Sequence, residues 1–546
     1  MGATGGVTVA GYLAERLRQH GVAHLFGVPG DANLGLIDGL LSGGQQRWVG
    51  SPNELNAGYA ADAYARRRGL AAVVTTSGVG ELSCLNAIAG AYAEQVPVVQ
   101  ITGAPASDAC GALGPFAGAY REFTAAAEVL TPERAAEQID DVLAAARLTS
   151  RPVYLSVPVD VAGTLIDGGR LATPVGAEHV DAPALAAFAN AARDLLRAKD
   201  GQVTVVAGHE VERRGAAREL RALVEAGPLP FVTLVSSKGC LDEDHPCFAG
   251  VYCGDLGVKS ARRAVDQAAV LITVGTLTSD VVAGAFTAGK DPAHTIDVRG
   301  TTAHVAGERF EGVPMRAALA ALTGLAGEYA TLPAAGLPAF AVLGRRAEDA
   351  HGPVTDALTQ ISLWESLEEW LPPSSALLAD IGTSFWGAVS VTFPADTAFL
   401  AQPVWSSIGY TLPATLGAGL AEPHRRPVLV IGDGAAQRTA QELGTVAANG
   451  LTPVVIVVNN AGYTIDRVRR SPHAGYHDVA AWNWSGLVRS LAPHAHTYRV
   501  TSRRDLRNAL AAASAAPDRM VFVEAVLPAS DTPPMLQRLA ATAQNH

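Results

Sequence analysis

A carboxylate and an amide stand at the ends of two apolar runs in the last third of this 546-residue chain. Residues 427–431 lead into Gly432-Asp433-Gly434, and residues 453–458 lead into Asn459-Asn460-Ala461-Gly462-Tyr463. Each run reads as a strand, and residues 437–448 have the composition of a helix that follows the first. A strand, a tight turn and a helix in succession put backbone N–H groups and the positive helix end where a diphosphate can sit. In a parallel sheet both carboxyl ends open on one edge, so Asp433 and Asn460 can serve a single cation. Magnesium takes hard oxygens, one or two from protein and the rest from phosphate and water, and this pair meets that demand. Two ordinary turns at strand ends would show the same residue types.

Elements able to carry such an edge recur along the chain. Short β-rich runs such as Ala71–Thr76, 97–101, Val203–Ala207 and Val270–Val274 alternate with Ala/Leu-rich helical stretches, the pattern of parallel sheets covered on both faces. Residues 167–181 and 334–356 read as connections, which leaves three α/β domains at 1–170, 183–330 and 357–530, followed by a helix-forming tail at 533–546. With 49% hydrophobic and 17% charged residues, the composition is that of a compact enzyme rather than a disordered chain. The net charge of -11 offers no positive field for nucleic acid or anionic lipid. Five cysteines without a C-x-x-C pair fit a reducing compartment, and no apolar run reaches membrane-spanning length. The expectation is a cytoplasmic protein with neither a nucleic-acid nor a membrane partner.

The first domain carries Gly27-Val28-Pro29-Gly30-Asp31, then Asn53-Glu54-Leu55-Asn56-Ala57-Gly58-Tyr59-Ala60-Ala61-Asp62, then Thr75-Thr76-Ser77-Gly78-Val79-Gly80-Glu81. With these in order, and with Lys238-Gly239, Gly250-Val251-Tyr252 and 379–384 further on, the chain resembles the thiamine diphosphate-dependent pyruvate and indolepyruvate decarboxylases over residues 8–530. The Gly-Asp-Gly and Asn-Asn pair match that family's diphosphate motif. The resemblance implies three doubly wound parallel-sheet domains, pyrimidine-binding, middle and diphosphate-binding, with thiamine diphosphate and Mg2+ as cofactors. Asp433, Asn460 and Gly462 would take the metal, and Gly432, Gly434, Gly382, Thr383 and Ser384 would line the diphosphate. Glu54 would hydrogen-bond the aminopyrimidine ring and promote its imino form, which removes the thiazolium C2 proton. Partial burial would help by raising the pKa of that carboxyl. Ile408 would lie under the bend of the cofactor. Because Glu54 and Asp433 fall in different domains, the family pattern joins the first domain of one copy to the third of another, giving a homodimer or homotetramer. Helix capping by Glu54 and plain core packing of Ile408 are the competing assignments.

The chain departs from the resemblance where protons are managed. Decarboxylases of the family carry two adjacent histidines where this sequence has Cys110-Gly111, and a glutamate where it has Asp466; Asp31 is unchanged. Loss of CO2 needs little beyond the cofactor, but protonating the carbanion needs a positioned acid. The expectation is a 2-oxo acid decarboxylating enzyme that passes its carbanion to an aldehyde or ketone acceptor, with Asp31, Asp466 and Glu54 catalytic and with Cys110, Gly111 and Asp466 lining the substrate pocket. Simple release of an aldehyde, and a degenerate homologue with a binding role, are the alternatives. Arg467, Arg469, Arg470 and His473 form a basic cluster beside Asp466, read either as a solvated helix face or as a receptor for an anionic substrate group.

Overall fold

The computed structural model describes residues 6–109, 116–199, 201–277, 291–326 and 356–543. Six strands form the first sheet: β1 (His24–Gly27), β2 (Arg47–Gly50), β3 (Ala71–Thr76), β4 (Val98–Ala104), β5 (Ala127–Val129) and β6 (Val153–Pro158). They lie in the order β2-β1-β3-β4-β6-β5, and every pairing is parallel. Strands β4 and β6 are buried at every residue, which is why these segments read as unbroken apolar runs rather than alternating ones.

Two helices follow β2 and β3 in the chain, α1 (Glu54–Arg68) and α2 (Val79–Ala93). Helix α1 has no single apolar stripe; it is sunk on all sides through Ala57, Gly58, Ala60, Ala61, Ala63 and Ala65. Small residues let its backbone approach its neighbours closely. A Cβ on Gly58 would come within 2.5 Å of the Ala87 Cβ in α2. On another side lies α3 (Thr411–Ala421), where a Cβ on Gly417 would sit 1.9 Å from the Ala60 carbonyl oxygen. The Tyr410 hydroxyl donates to Asp62 at 2.5 Å, Arg66 bonds the same carboxylate at 2.6 Å, and Arg67 pairs with Glu422 at 2.6 Å. Helix α3 and α4 (Glu442–Ala448) thus belong to one compact unit with the chain up to Glu178, although both are supplied from more than 400 residues along.

The second compact unit holds two sheets. Strands β7 (Val203–Ala207), β8 (Phe231–Leu234), β9 (Phe248–Tyr252), β10 (Val270–Val274), β11 (Thr295–Arg299), β12 (Thr302–Val305) and β13 (Glu308–Glu311) pair in the order β9-β8-β7-β10-β11-β12-β13. The first five are parallel, and β12 and β13 add an antiparallel edge that the residue pattern did not announce. The other sheet contains β14 (Ala376–Ala379), β15 (Ala398–Leu400), β16 (Pro427–Gly432), β17 (Val454–Asn459), β18 (His496–Val500) and β19 (Val521–Val526), all parallel in the order β15-β14-β16-β17-β19-β18. Lys238, part of the motif noted above, has a structural task here. Its buried ammonium bonds Glu243 at 2.6 Å and the Val391 carbonyl at 2.8 Å, tying the end of β8 to the segment after the helix Thr383–Ser390. Among the described residues no helix is long and apolar enough to cross a membrane, and the four described cysteines are buried free thiols.

Candidate active site

Three adjacent strands, β14, β16 and β17, end on the same side of the sheet in a short stagger, with Ala379 opposite Val430 and Gly432 opposite Val458. Their carboxyl ends therefore present Gly382, Thr383 and Ser384, then Gly432, Asp433 and Gly434, then Asn460 and Gly462, on one sheet edge. Gly382 has φ +133° and caps the helix Thr383–Ser390, so Thr383 and Ser384 form its first turn. Likewise the helix after β16 starts at Asp433 itself. A Cβ on Gly382 or on Gly432 would meet nothing within 4 Å, which leaves open space along this edge.

Asp433 is buried, and its two carboxylate oxygens accept the Gly434 N–H at 2.8 Å and the Gly462 N–H at 3.2 Å. Burial pushes this carboxyl up to about 6 in spite of those donors, and a neighbouring cation would favour its charged form. The two asparagines divide their work. Asn459 donates to Glu524 on β19 at 2.7 Å, whereas Asn460 Oδ1 is buried with no partner, as is Ser384 Oγ. A buried amide oxygen without a donor costs roughly 1–3 kcal/mol unless something satisfies it. Among the described residues no three His, Cys, Asp or Glu side chains gather as a metal cage, so the fitting donor set is the mixed one of carboxylate, amide and carbonyl oxygen. The residues present fit a magnesium diphosphate.

Arg467 resolves the basic cluster in an unexpected way. Its side chain is buried, and its guanidinium donates to the Asn460 carbonyl at 3.2 Å, the Ala461 carbonyl at 2.6 Å and the Asp478 carboxylate at 2.7 Å. It stiffens the loop that carries Asn460, while Arg469, Arg470 and His473 remain exposed. The same loop is clamped from outside: Tyr463 N–H donates to the His477 carbonyl at 2.9 Å, and a Cβ on Gly462 would lie 2.1 Å from that oxygen. Spacing alone grouped Arg467 with its exposed neighbours; its place on the inner side of the short helix Thr464–Arg469 separates it. On the expectation that the Asn460 loop takes Mg2+ and thiamine diphosphate, Arg467→Met should weaken their binding by about 10-fold or more, the effect of removing support behind a metal ligand. Calorimetric titration checks this, with Arg469→Ala expected to bind as wild type.

In the first unit, Glu54 is the first residue of α1, behind an Asn53 cap whose side chain accepts the Asn56 N–H at 2.9 Å. The residue is half-buried, and its Oε1 lies 3.0 Å from where a Cβ on Gly80 would stand, so a larger residue there would press on the carboxylate. Glu81 fixes this glycine turn by accepting the Gly78 N–H at 2.7 Å and the Tyr154 hydroxyl at 2.7 Å. Asp31 is exposed in the turn after β1. That turn is locked by the buried Asn33, which accepts the Gly30 N–H at 2.8 Å and donates to the Val28 carbonyl at 3.0 Å. Neither Asn33 nor Glu81 was singled out from residue type, although Glu81 stands inside the quoted glycine motif.

Of the remaining candidates, Asp466 is exposed and Ile408 half-buried, and both belong to the second unit with Asp433. Cys110 and Gly111 lie outside the described residues.

Three α/β domains, the outer two built on wholly parallel six-stranded sheets, are the architecture of thiamine pyrophosphate enzymes. Models of their N-terminal TPP binding domain, central domain and C-terminal TPP binding domain match residues 7–128, 189–322 and 380–525. Alpha-keto-acid decarboxylases of Mycolicibacterium paratuberculosis and Mycobacterium ulcerans are each 44% identical, over 97% and 98% of this chain and 96% of theirs. That of Mycobacterium tuberculosis is 44% identical over 98% of this chain and 97% of its own. The chain belongs to the thiamine diphosphate-dependent 2-oxo acid decarboxylase family.

Proposed function

We propose that this protein is a thiamine diphosphate- and Mg2+-dependent enzyme that decarboxylates a 2-oxo acid. The observation that carries the reading is the orphaned, buried Asn460 Oδ1, in the loop whose Gly462 N–H is held by Asp433, on an edge with open space at Gly382 and Gly432. The alpha-keto-acid decarboxylases that share 44% of their residues with this chain support the reaction class.

When bound, thiamine diphosphate supplies the electron sink for the bond broken as CO2 leaves. Asp433, Asn460 and the Gly462 carbonyl would hold Mg2+, and Gly382, Thr383, Ser384, Gly432 and Gly434 would bind the diphosphate. Ile408 would support the bent cofactor. Glu54 would hold the proton at the pyrimidine ring nitrogen, and the exposed Asp31 and Asp466 would carry protons at the reacting carbon. Apolar exposure at the start of α2, with Val79 81% and Leu82 43% exposed on either side of the Gly80 whose Cβ position lies 3.0 Å from Glu54 Oε1, supports cover by a second copy in a homodimer.

A second reading is favoured by one feature of the sequence: Cys110-Gly111 leaves no imidazole where the family places its proton donors. Transfer of the carbanion to an aldehyde or ketone then competes with protonation. Purified protein with thiamine diphosphate and Mg2+ should release CO2 from members of a 2-oxo acid panel and lose that activity to a chelator. Added aldehyde should divert product into a hydroxy ketone. No CO2 from any acid would defeat the first reading, and free aldehyde as sole product in every mixture would defeat the second.

A further inference from the structure

Glu442 is a carboxylic acid that neither the metal edge nor the proton steps above employ. It sits at the first position of α4, wholly buried, in the same compact unit as α1. One carboxyl oxygen accepts the Ser51 hydroxyl at 3.1 Å and the other accepts the Asn56 side-chain N–H at 2.8 Å. Those two residues bracket Glu54, three before it and two after. Asn56 Oδ1 has no partner of its own, so the amide is oriented by the bond to Glu442. Burial pushes the Glu442 carboxyl up to about 7 although Asn56, Ser51 and Thr445 all donate to it, a measure of how poorly this place suits a charge. A scaffold alone would be served as well by an apolar side chain of equal size, because burying a carboxyl costs several kcal/mol before its bonds repay any of it.

We infer that Glu442 is a positioning residue for Glu54: by gripping Ser51 and Asn56 together it sets the backbone turn from which the Glu54 carboxyl is aimed. This rests on the reading of Glu54 as the partner of the pyrimidine ring. The inference assigns to the Asn53-capped start of α1 a support delivered from almost 400 residues downstream, and it separates two duties. Binding of the cofactor diphosphate belongs to the Asp433 edge, whereas removal of the cofactor's C2 proton depends on how firmly Glu54 is held.

The test is the rate at which the C2 proton of bound thiamine diphosphate exchanges with deuterium, read by acid quench and NMR on the holoenzyme without substrate, beside the cofactor Kd by calorimetry. Glu442→Leu should slow exchange by roughly 10- to 100-fold, a misplacement effect, while the Kd rises less than about 3-fold. Glu442→Gln, which can still accept one of the two bonds, should fall between Leu and wild type. Ser51→Ala removes one bond without touching the buried carboxyl and should slow exchange in the same direction, so the inference stands or falls even if the Leu variant does not fold. Wild-type exchange in Glu442→Leu, or in Ser51→Ala where Leu does not fold, overturns it. So does an equal loss of exchange and of affinity in the Leu and Gln variants, which would make Glu442 a scaffold residue. Glu54→Gln separates the two claims: wild-type exchange there removes the reading of Glu54, whereas slow exchange there with fast exchange in Glu442→Leu removes only the role of Glu442.

Discussion

Glu54→Gln should lower kcat for 2-oxo acid decarboxylation by about 10²- to 10⁴-fold, the range in which a positioned proton-transfer group contributes. The amide keeps the length of the side chain and can still occupy the space that Gly80 leaves for it, where a Cβ would lie 3.0 Å from Oε1. What it loses is the ability to share a proton with a ring nitrogen. Steady-state kinetics should place the effect in kcat, because the residues proposed to hold the diphosphate and the metal are untouched. The cofactor Kd should change little, and the circular dichroism spectrum should remain that of wild type. A variant with kcat near wild type would reduce Glu54 to a helix-capping residue.

Gly417→Val has the second large consequence, and it is one of stability. The added Cβ would stand 1.9 Å from the Ala60 carbonyl oxygen, 2.8 Å from its carbon and 3.0 Å from the Tyr64 nitrogen, all of them backbone atoms that cannot turn aside. Helices α1 and α3 would have to separate, breaking the Tyr410–Asp62 bond and the Arg67–Glu422 pair that lie along the same contact. Overpacking of a close contact commonly costs about 1–3 kcal/mol, and backbone collisions lie at the upper end. Scanning calorimetry should show the melting transition of the first unit shifted to lower temperature, with weaker cofactor binding following from disturbance of α1. Gly432→Ala supplies the control: its Cβ would meet nothing within 4 Å, so it should melt with wild type whatever happens to its activity. Unchanged melting of Gly417→Val would contradict the packing described for α1.

Much of the molecule was legible from residue order because parallel strands buried on both faces leave unbroken apolar runs. Val203–Ala207, Val270–Val274 and Ala71–Thr76 were read at the bounds they adopt. The carboxyl edge carrying Asp433 and Asn460 was legible for a related reason: each residue lies one position past its strand, so local geometry delivers them. The antiparallel β12 and β13 were missed, being four residues each, and β13 is charged at three of its four positions.

Arg467 and Glu442 show where such reading stops. Arg467 is one basic residue among several in a row, and only the turn of a short helix and the carbonyls waiting on its inner side distinguish it from exposed Arg469 and Arg470. Glu442 looks like an ordinary acid in a first helical turn, yet its partners Ser51 and Asn56 stand nearly 400 residues earlier. Residue types and their short-range spacing were enough for the family, the parallel sheets and the strand-end edge that carries Asp433 and Asn460, since each depends on contacts within a strand and its following turn. Which buried polar groups support the site was decided by packing between distant segments, because hydrogen bonds and desolvation act across space and leave no periodic trace along the chain.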